Sequence, residues 1–299
     1  MKSSIKSEKR IFGFTLIELL VVIAIIALLM GILLPAMTRV RRQGKRAACL
    51  AHTRQLQIAW QSYAETYEGK IVNGGQAPWP PLGGLSYQKF ERFWCSGFPT
   101  TAINGYDWNW NPNISYGGLA HLTYQERVEK LREGALYPYL KDEKIYRCTE
   151  ARRDFHRTFS IVESMNSKWP GLDQYFGGEG QQITNLVQIK KAQERIVFVE
   201  EGQPSSDGFM VIHDASRWVW IDKPQAPHVK GANFSFVDGH AGFRKWEDKR
   251  SLLWASVDWT DAGSDLAALD GVSQTNNKDL VWMIIATWGD IKNYTGPMP

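Results

Sequence analysis

The chain has 299 residues, 43% of them hydrophobic and 22% charged, enough to bury a core in one generous domain or two small ones. Its net charge of +4 comes from basic residues on either side of one apolar run, Lys2, Lys6, Lys9 and Arg10 before it and Arg39, Arg41, Arg42, Lys45 and Arg46 after it. That placement reflects membrane flanks more than a nucleic-acid face. The three cysteines, Cys49, Cys95 and Cys148, are too few for a disulfide scaffold and match no zinc-module spacing. With 13 Trp, 11 Tyr and 13 Phe, the aromatic content reads first as core and second as exposed stacking platforms.

The apolar run from Phe14 to Met37 is long enough to cross a bilayer as a helix, and Glu18 is its one ionisable residue. A carboxylate in that setting calls for a partner or a function, the bland reading being a Glu at headgroup depth. Gly31 and Pro35 fall late in the run, where an interior proline predicts a kink or local melting. A plain secretory signal is the competing reading, but Leu34-Pro35-Ala36 makes a poor cleavage site.

Gly13-Phe14-Thr15-Leu16-Ile17-Glu18 behind a short basic leader resembles the type IV prepilin processing signal. The resemblance implies that residues 1–13 are a leader removed by a membrane prepilin peptidase, that Phe14 becomes a methylated amino terminus, and that Glu18 is required for assembly. The new ammonium at Phe14 of one subunit can pair with Glu18 of a neighbour inside hydrocarbon, where either charge alone is penalised. Implied partners are like subunits and other pseudopilins, an inner-membrane assembly platform and membrane lipid, with no nucleic acid. The resemblance also implies a single-pass protein of the inner (cytoplasmic) membrane with its carboxy-terminal domain periplasmic or extracellular.

Past the membrane, Leu56, Ala59, Trp60, Tyr63 and Tyr67 keep helical spacing, with Cys49 on the same stripe. The helix is therefore expected to span 14–68, ending near Gly69, and residues 69–299 form the globular domain. Residues 85–120, densest at Trp108-Asn109-Trp110, read as an irregular Trp-rich insertion. Leu122 to Leu140 has helical spacing broken near Gly134. Strand-like runs follow at Arg195–Glu200, Phe209–His213 and Arg217–Ile221, and Asp238-Gly239 predicts a hairpin turn between two more. Asp279–Trp288 is too short for a second span and reads as a buried strand or short helix. The predicted fold class is α+β: a long amino-terminal helix, membrane-spanning in its first half, packed on an antiparallel β-sheet domain as in pilins.

His228, nine intervening residues and Asp238-Gly239 resemble a second signature, that of a large group of bacterial prepilin-like proteins. Cys49-Leu50, Gln55-Leu56, Tyr63-Ala64, Leu136-Tyr137-Pro138-Tyr139-Leu140 and Cys148 extend the likeness, while Thr149 departs from it by standing where the group has Pro. His228 and Asp238, a constellation that Glu200, Glu201 or His240 could join, are read as a structural pair closing the hairpin, with a calcium ion held by Asp238 as the alternative and no other cofactor expected. The compartment implied by the resemblance is oxidising, so a Cys49–Cys148 disulfide would staple helix to sheet; three buried thiols are the competing reading.

No nucleophile elbow, phosphate loop or His-Glu-x-x-His pattern is present, so the expectation is a structural protein and no enzyme. The function implied is a subunit of a type II secretion pseudopilus or type IV pilus-like filament. The alternative is a membrane-anchored glycan-binding module in which Trp79, Trp108 and Trp110 stack on sugars.

Overall fold

The computed structural model describes residues 15–74, 94–95, 123–151, 155–167, 182–201, 208–214, 218, 220–222, 225–256 and 273–296. It divides into two compact units, residues 1–45 and 46–299.

Helix α1 (Leu16–Thr66) belongs to both. In the first unit its apolar side chains, Leu16 to Val40, are exposed on every side. A helix apolar all round needs lipid or protein about it, and among the described residues α1 is the one helix long and apolar enough to cross a membrane. The helix is unbroken at Gly31 and Pro35, so of the expected kink or melting there the melting does not occur. Pro35 removes only the bond to the Gly31 carbonyl; the turns on either side remain, and the Thr38 hydroxyl donates to the Leu34 carbonyl at 3.0 Å.

In the second unit α1 buries Cys49, Thr53, Leu56, Gln57, Ala59, Trp60, Tyr63 and Ala64, one face of a helix. Tyr67, expected on that stripe, is exposed because the helix has ended at Thr66. Gly69 terminates it in the left-handed conformation (φ 81°), its N–H donating to the Ala64 carbonyl at 2.8 Å.

The sheet is antiparallel, in the order β1 (Phe159–Ile161), β2 (Ile196–Glu200), β3 (Gly231–Phe236) and β4 (Ala241–Lys245). β1 to β3 are buried almost throughout, so both faces of the sheet centre are covered. On β3, Ser235 meets α1, its hydroxyl donating to Gln57 Oε1 at 2.8 Å. Phe234, pointing the other way, meets Trp246 and Trp282 edge-on at 5.8 and 5.2 Å. The predicted hairpin is β3–β4, with Gly239 at φ 97° and the Phe236 N–H bonded to the His240 carbonyl at 2.9 Å.

Among the described residues, Phe209–His213, where a strand was expected, contributes only the single bridging pairs Val162 with Phe209 and Val211 with Trp220, and the run expected as a strand at Arg217–Ile221 lies partly outside the described residues. The broken helix predicted at 122–140 is α2 (Tyr124–Leu131) and α3 (Tyr137–Leu140). Among the described residues the short strand β1, helix α4 (Lys249–Ser256) and the single turns Leu186–Gln188 and Ala192–Glu194 were not anticipated. The last apolar run is helix α5 (Lys278–Trp288), capped by the Asn277 side chain on the N–H groups of Asp279 and Leu280 and closed by Gly289 at φ 97°.

Candidate functional site

Four elements of the second unit deliver ionisable side chains to one buried point. Cys49 comes from α1, Cys148 follows the single turn Glu143–Tyr146, Glu200 ends β2, and His228 precedes β3. Their ligand atoms all lie within 4.8 Å of one another, and all four residues are buried. The Cys49 and Cys148 sulfurs are 2.8 Å apart as free thiols. His228 Nε2 is 3.3 Å from Cys148 Sγ and 3.1 Å from Glu200 Oε1. The other Glu200 oxygen accepts from the Asn233 backbone N–H at 3.1 Å and its Nδ2 at 2.9 Å, which fixes the carboxylate.

Backbone N–H groups also point at both sulfurs, Thr149 donating to Cys49 at 3.0 Å and Glu150 to Cys148 at 3.3 Å. A proline in place of Thr149 would have no such N–H to give. The contact with Cys148 pulls the Cys49 thiol down to about 4 against the opposing effect of burial, while its contact with Cys49 and then burial push Cys148 up. Burial alone would lower His228, but its hydrogen bonds to the cysteine pair and Glu200 lift it to about 9.

His228 does not pair with Asp238, which corrects the expected hairpin closure. β3 separates the two residues, and six residues of strand extend for about 20 Å. Asp238 accepts instead from the neighbouring His240, through Nδ1 at 2.6 Å and the backbone N–H at 3.2 Å, on the exposed turn. Asp238 is also outside the one group of converging metal-ligand types found among the described residues. Cys95 is buried elsewhere, where burial pushes its thiol up to about 12.

In the first unit, Glu18 closes the amino-terminal turn of α1. Its Oε2 accepts from the Thr15 N–H at 2.8 Å and the Thr15 hydroxyl at 2.7 Å, and Thr15 Oγ1 in turn accepts from the Glu18 N–H at 3.3 Å. This is a capping box, a role the sequence reading missed although Thr-x-x-Glu signals it. Residues 9–34 match the family model described as the prokaryotic N-terminal methylation motif. The chain carries a prepilin-type segment. Together with α1, the one helix among the described residues long and apolar enough to cross a membrane, the prepilin segment supports a membrane-anchored chain. No curated protein and no solved structure matches the chain. Gly13 and Phe14 of the prepilin segment lie outside the described residues, as do Trp79, Trp108 and Trp110 of the glycan reading. Trp60, Trp94, Trp220 and Trp246 are core residues.

Proposed function

We propose that the chain is a structural subunit of a type II secretion pseudopilus or a related type IV pilus-like filament. In this reading prepilin peptidase cuts after Gly13 and Phe14 is methylated. The apolar half of α1 holds the subunit in the cytoplasmic membrane until the assembly platform transfers it among like subunits and other pseudopilins. Its carboxy-terminal domain is on the periplasmic or extracellular side.

The observation that carries the proposal is the match of residues 9–34 to the methylation motif, on a helix whose apolar side chains are exposed on all sides. Such a helix is equally at home in lipid and in a bundle of its own kind, so moving from one to the other exposes no apolar surface to water. The test is mass spectrometry of the amino-terminal peptide from the native host's membranes. A peptide starting at N-methylated Phe14 is expected; an intact Met1, or a start beyond Ala36, overturns the proposal.

A further inference from the structure

We propose that Cys49, Cys148, Glu200 and His228 bind one zinc ion as a closed structural site that ties α1 and the loop before Thr149 to the sheet. The inference is independent of the filament reading, since all four residues belong to the second unit.

Donor chemistry comes first. Two thiol sulfurs, one imidazole nitrogen and one carboxylate oxygen form a set that suits Zn²⁺ and does not suit calcium, which takes oxygen ligands in larger number. The donors number four, the coordination of a structural zinc, and their exposure of only 0% for Cys49, 1% for Cys148, 0% for Glu200 and 3% for His228 leaves no position open to solvent or substrate. A closed, fully protein-ligated site is structural; a catalytic one would keep a coordination position free.

Spacing comes second. Zn–S bonds of about 2.3 Å and Zn–N or Zn–O bonds of about 2.0 Å give tetrahedral edges of roughly 3.3 to 3.8 Å. The sulfur–nitrogen and nitrogen–oxygen separations of 3.3 and 3.1 Å are close to those edges. The sulfurs, 2.8 Å apart, would part by about 1 Å as the ion enters, which small rotations of two short side chains supply.

The surroundings decide between an ion and the other product these sulfurs could form, a disulfide. Thr149 and Glu150 aim backbone N–H groups at the two sulfurs, and the Thr149 hydroxyl lies 3.3 Å from Cys49 Sγ. Donors so placed stabilise sulfur carrying negative charge, whereas the sulfurs of a disulfide are neutral and weak acceptors. Glu200 is oriented by Asn233 so that its free oxygen faces the centre, the arrangement that holds a ligating carboxylate in place. A disulfide would use none of this and would leave Glu200 and His228 as a buried pair beside it.

The experiment uses the full chain, extracted from membranes in detergent without chelator, with free thiols alkylated in a parallel sample before lysis. Elemental analysis is expected to give about one zinc per chain, and peptide mapping to find no Cys49–Cys148 bond. After reduction and chelation, added Co²⁺ should restore a sulfur-to-cobalt charge-transfer band that Cys148→Ser removes and Cys95→Ser leaves in place. Asn233→Ala, which removes one of the two bonds orienting Glu200, should weaken Zn²⁺ binding by about 10- to 100-fold. A native chain with Cys49 joined to Cys148, or zinc near zero per chain with no cobalt band after reduction, overturns the proposal. Because wild-type stoichiometry and thiol state decide the matter, a variant that fails to fold does not rescue it.

Discussion

Glu18 has two roles to separate, a cap seen in the structure and a charge partner required by the proposed assembly. Glu18→Ala removes both, so it cannot distinguish them, but Glu18→Gln does. The Gln amide oxygen can still accept from the Thr15 N–H and hydroxyl, as Glu18 Oε2 does at 2.8 and 2.7 Å, and so keeps the capping box without the charge. Loss of a cap costs about 0.5 to 2 kcal/mol and frays only the first turn, so membrane insertion should be untouched by either substitution. Loss of the charge leaves the Phe14 ammonium of a neighbouring subunit unpaired in hydrocarbon, at about 2.5 to 3.5 kcal/mol per subunit, or on the order of a hundredfold in the docking equilibrium. Both Glu18→Ala and Glu18→Gln should therefore reduce assembly by that order, while Thr15→Ala, which touches only the cap, should reduce it by far less. The measurement is the amount of subunit in sheared filaments relative to the membrane fraction. Wild-type filament levels for Glu18→Gln alongside a defect in Glu18→Ala would show that Glu18 serves the helix and not the neighbour.

Two further expectations concern the globular unit. A Cβ at Gly231 would lie 2.1 Å from the Arg244 carbonyl oxygen and 2.8 Å from Lys245 Cα, whereas at Gly242 the nearest atom, Phe236 Cε2, is 3.9 Å away. Gly231→Ala should thus cost about 3 kcal/mol or more and Gly242→Ala well under about 1 kcal/mol, measured by denaturant unfolding of the detergent-solubilised chain; equal effects would mean the β3–β4 approach is looser than described. Asp248 is held below its usual 3.8 chiefly by its side-chain bonds to Arg250, at 2.9 and 2.7 Å. Its carboxylate therefore contributes stability above the unfolded value that is lost as pH falls through the lower folded one, and Asp248→Asn should flatten the acid limb of the unfolding curve below about pH 4 while leaving its neutral plateau slope unchanged.

What could be read from the sequence was local. The prepilin segment, the buried stripe of α1 and the Asp-Gly hairpin each announce themselves within a few residues, because cleavage motif, helical period and turn chemistry are properties of short windows. The expectation for α5 was divided because its apolar residues follow no clear period, and the deciding information was in its ends, Asn277 and Gly289. Phe209–His213 has strand composition but pairs at single residues, so β propensity misjudged a segment whose partners were set by the tertiary fold. The buried cluster was the least legible feature. Cys49 and Cys148 are 99 residues apart and Cys148 and His228 80 apart, so no spacing rule for compact metal modules could register them. The sequence groups His228 first with Asp238 and only second with Glu200, and the fold supplies the second of these, Glu200 at the end of β2.

The polar residues of α1 explain how its second half can be both a helix and a fixed part of the sheet domain. An apolar stripe alone leaves axial register loosely specified, because one turn slipped still buries hydrocarbon. Here Gln57 accepts from Ser235, Ser235 Oγ accepts from the Phe198 N–H, and Gln61 donates to the Val237 carbonyl at 2.8 Å. Cys49 adds a third anchor two turns earlier, at the cluster. A one-turn slip of about 5.4 Å would strand these partners in the interior at about 1 to 3 kcal/mol for each unsatisfied group. The anchored register follows from buried polar groups that tolerate a single arrangement, and the proposed zinc ion would fasten that seam at its Cys49 end.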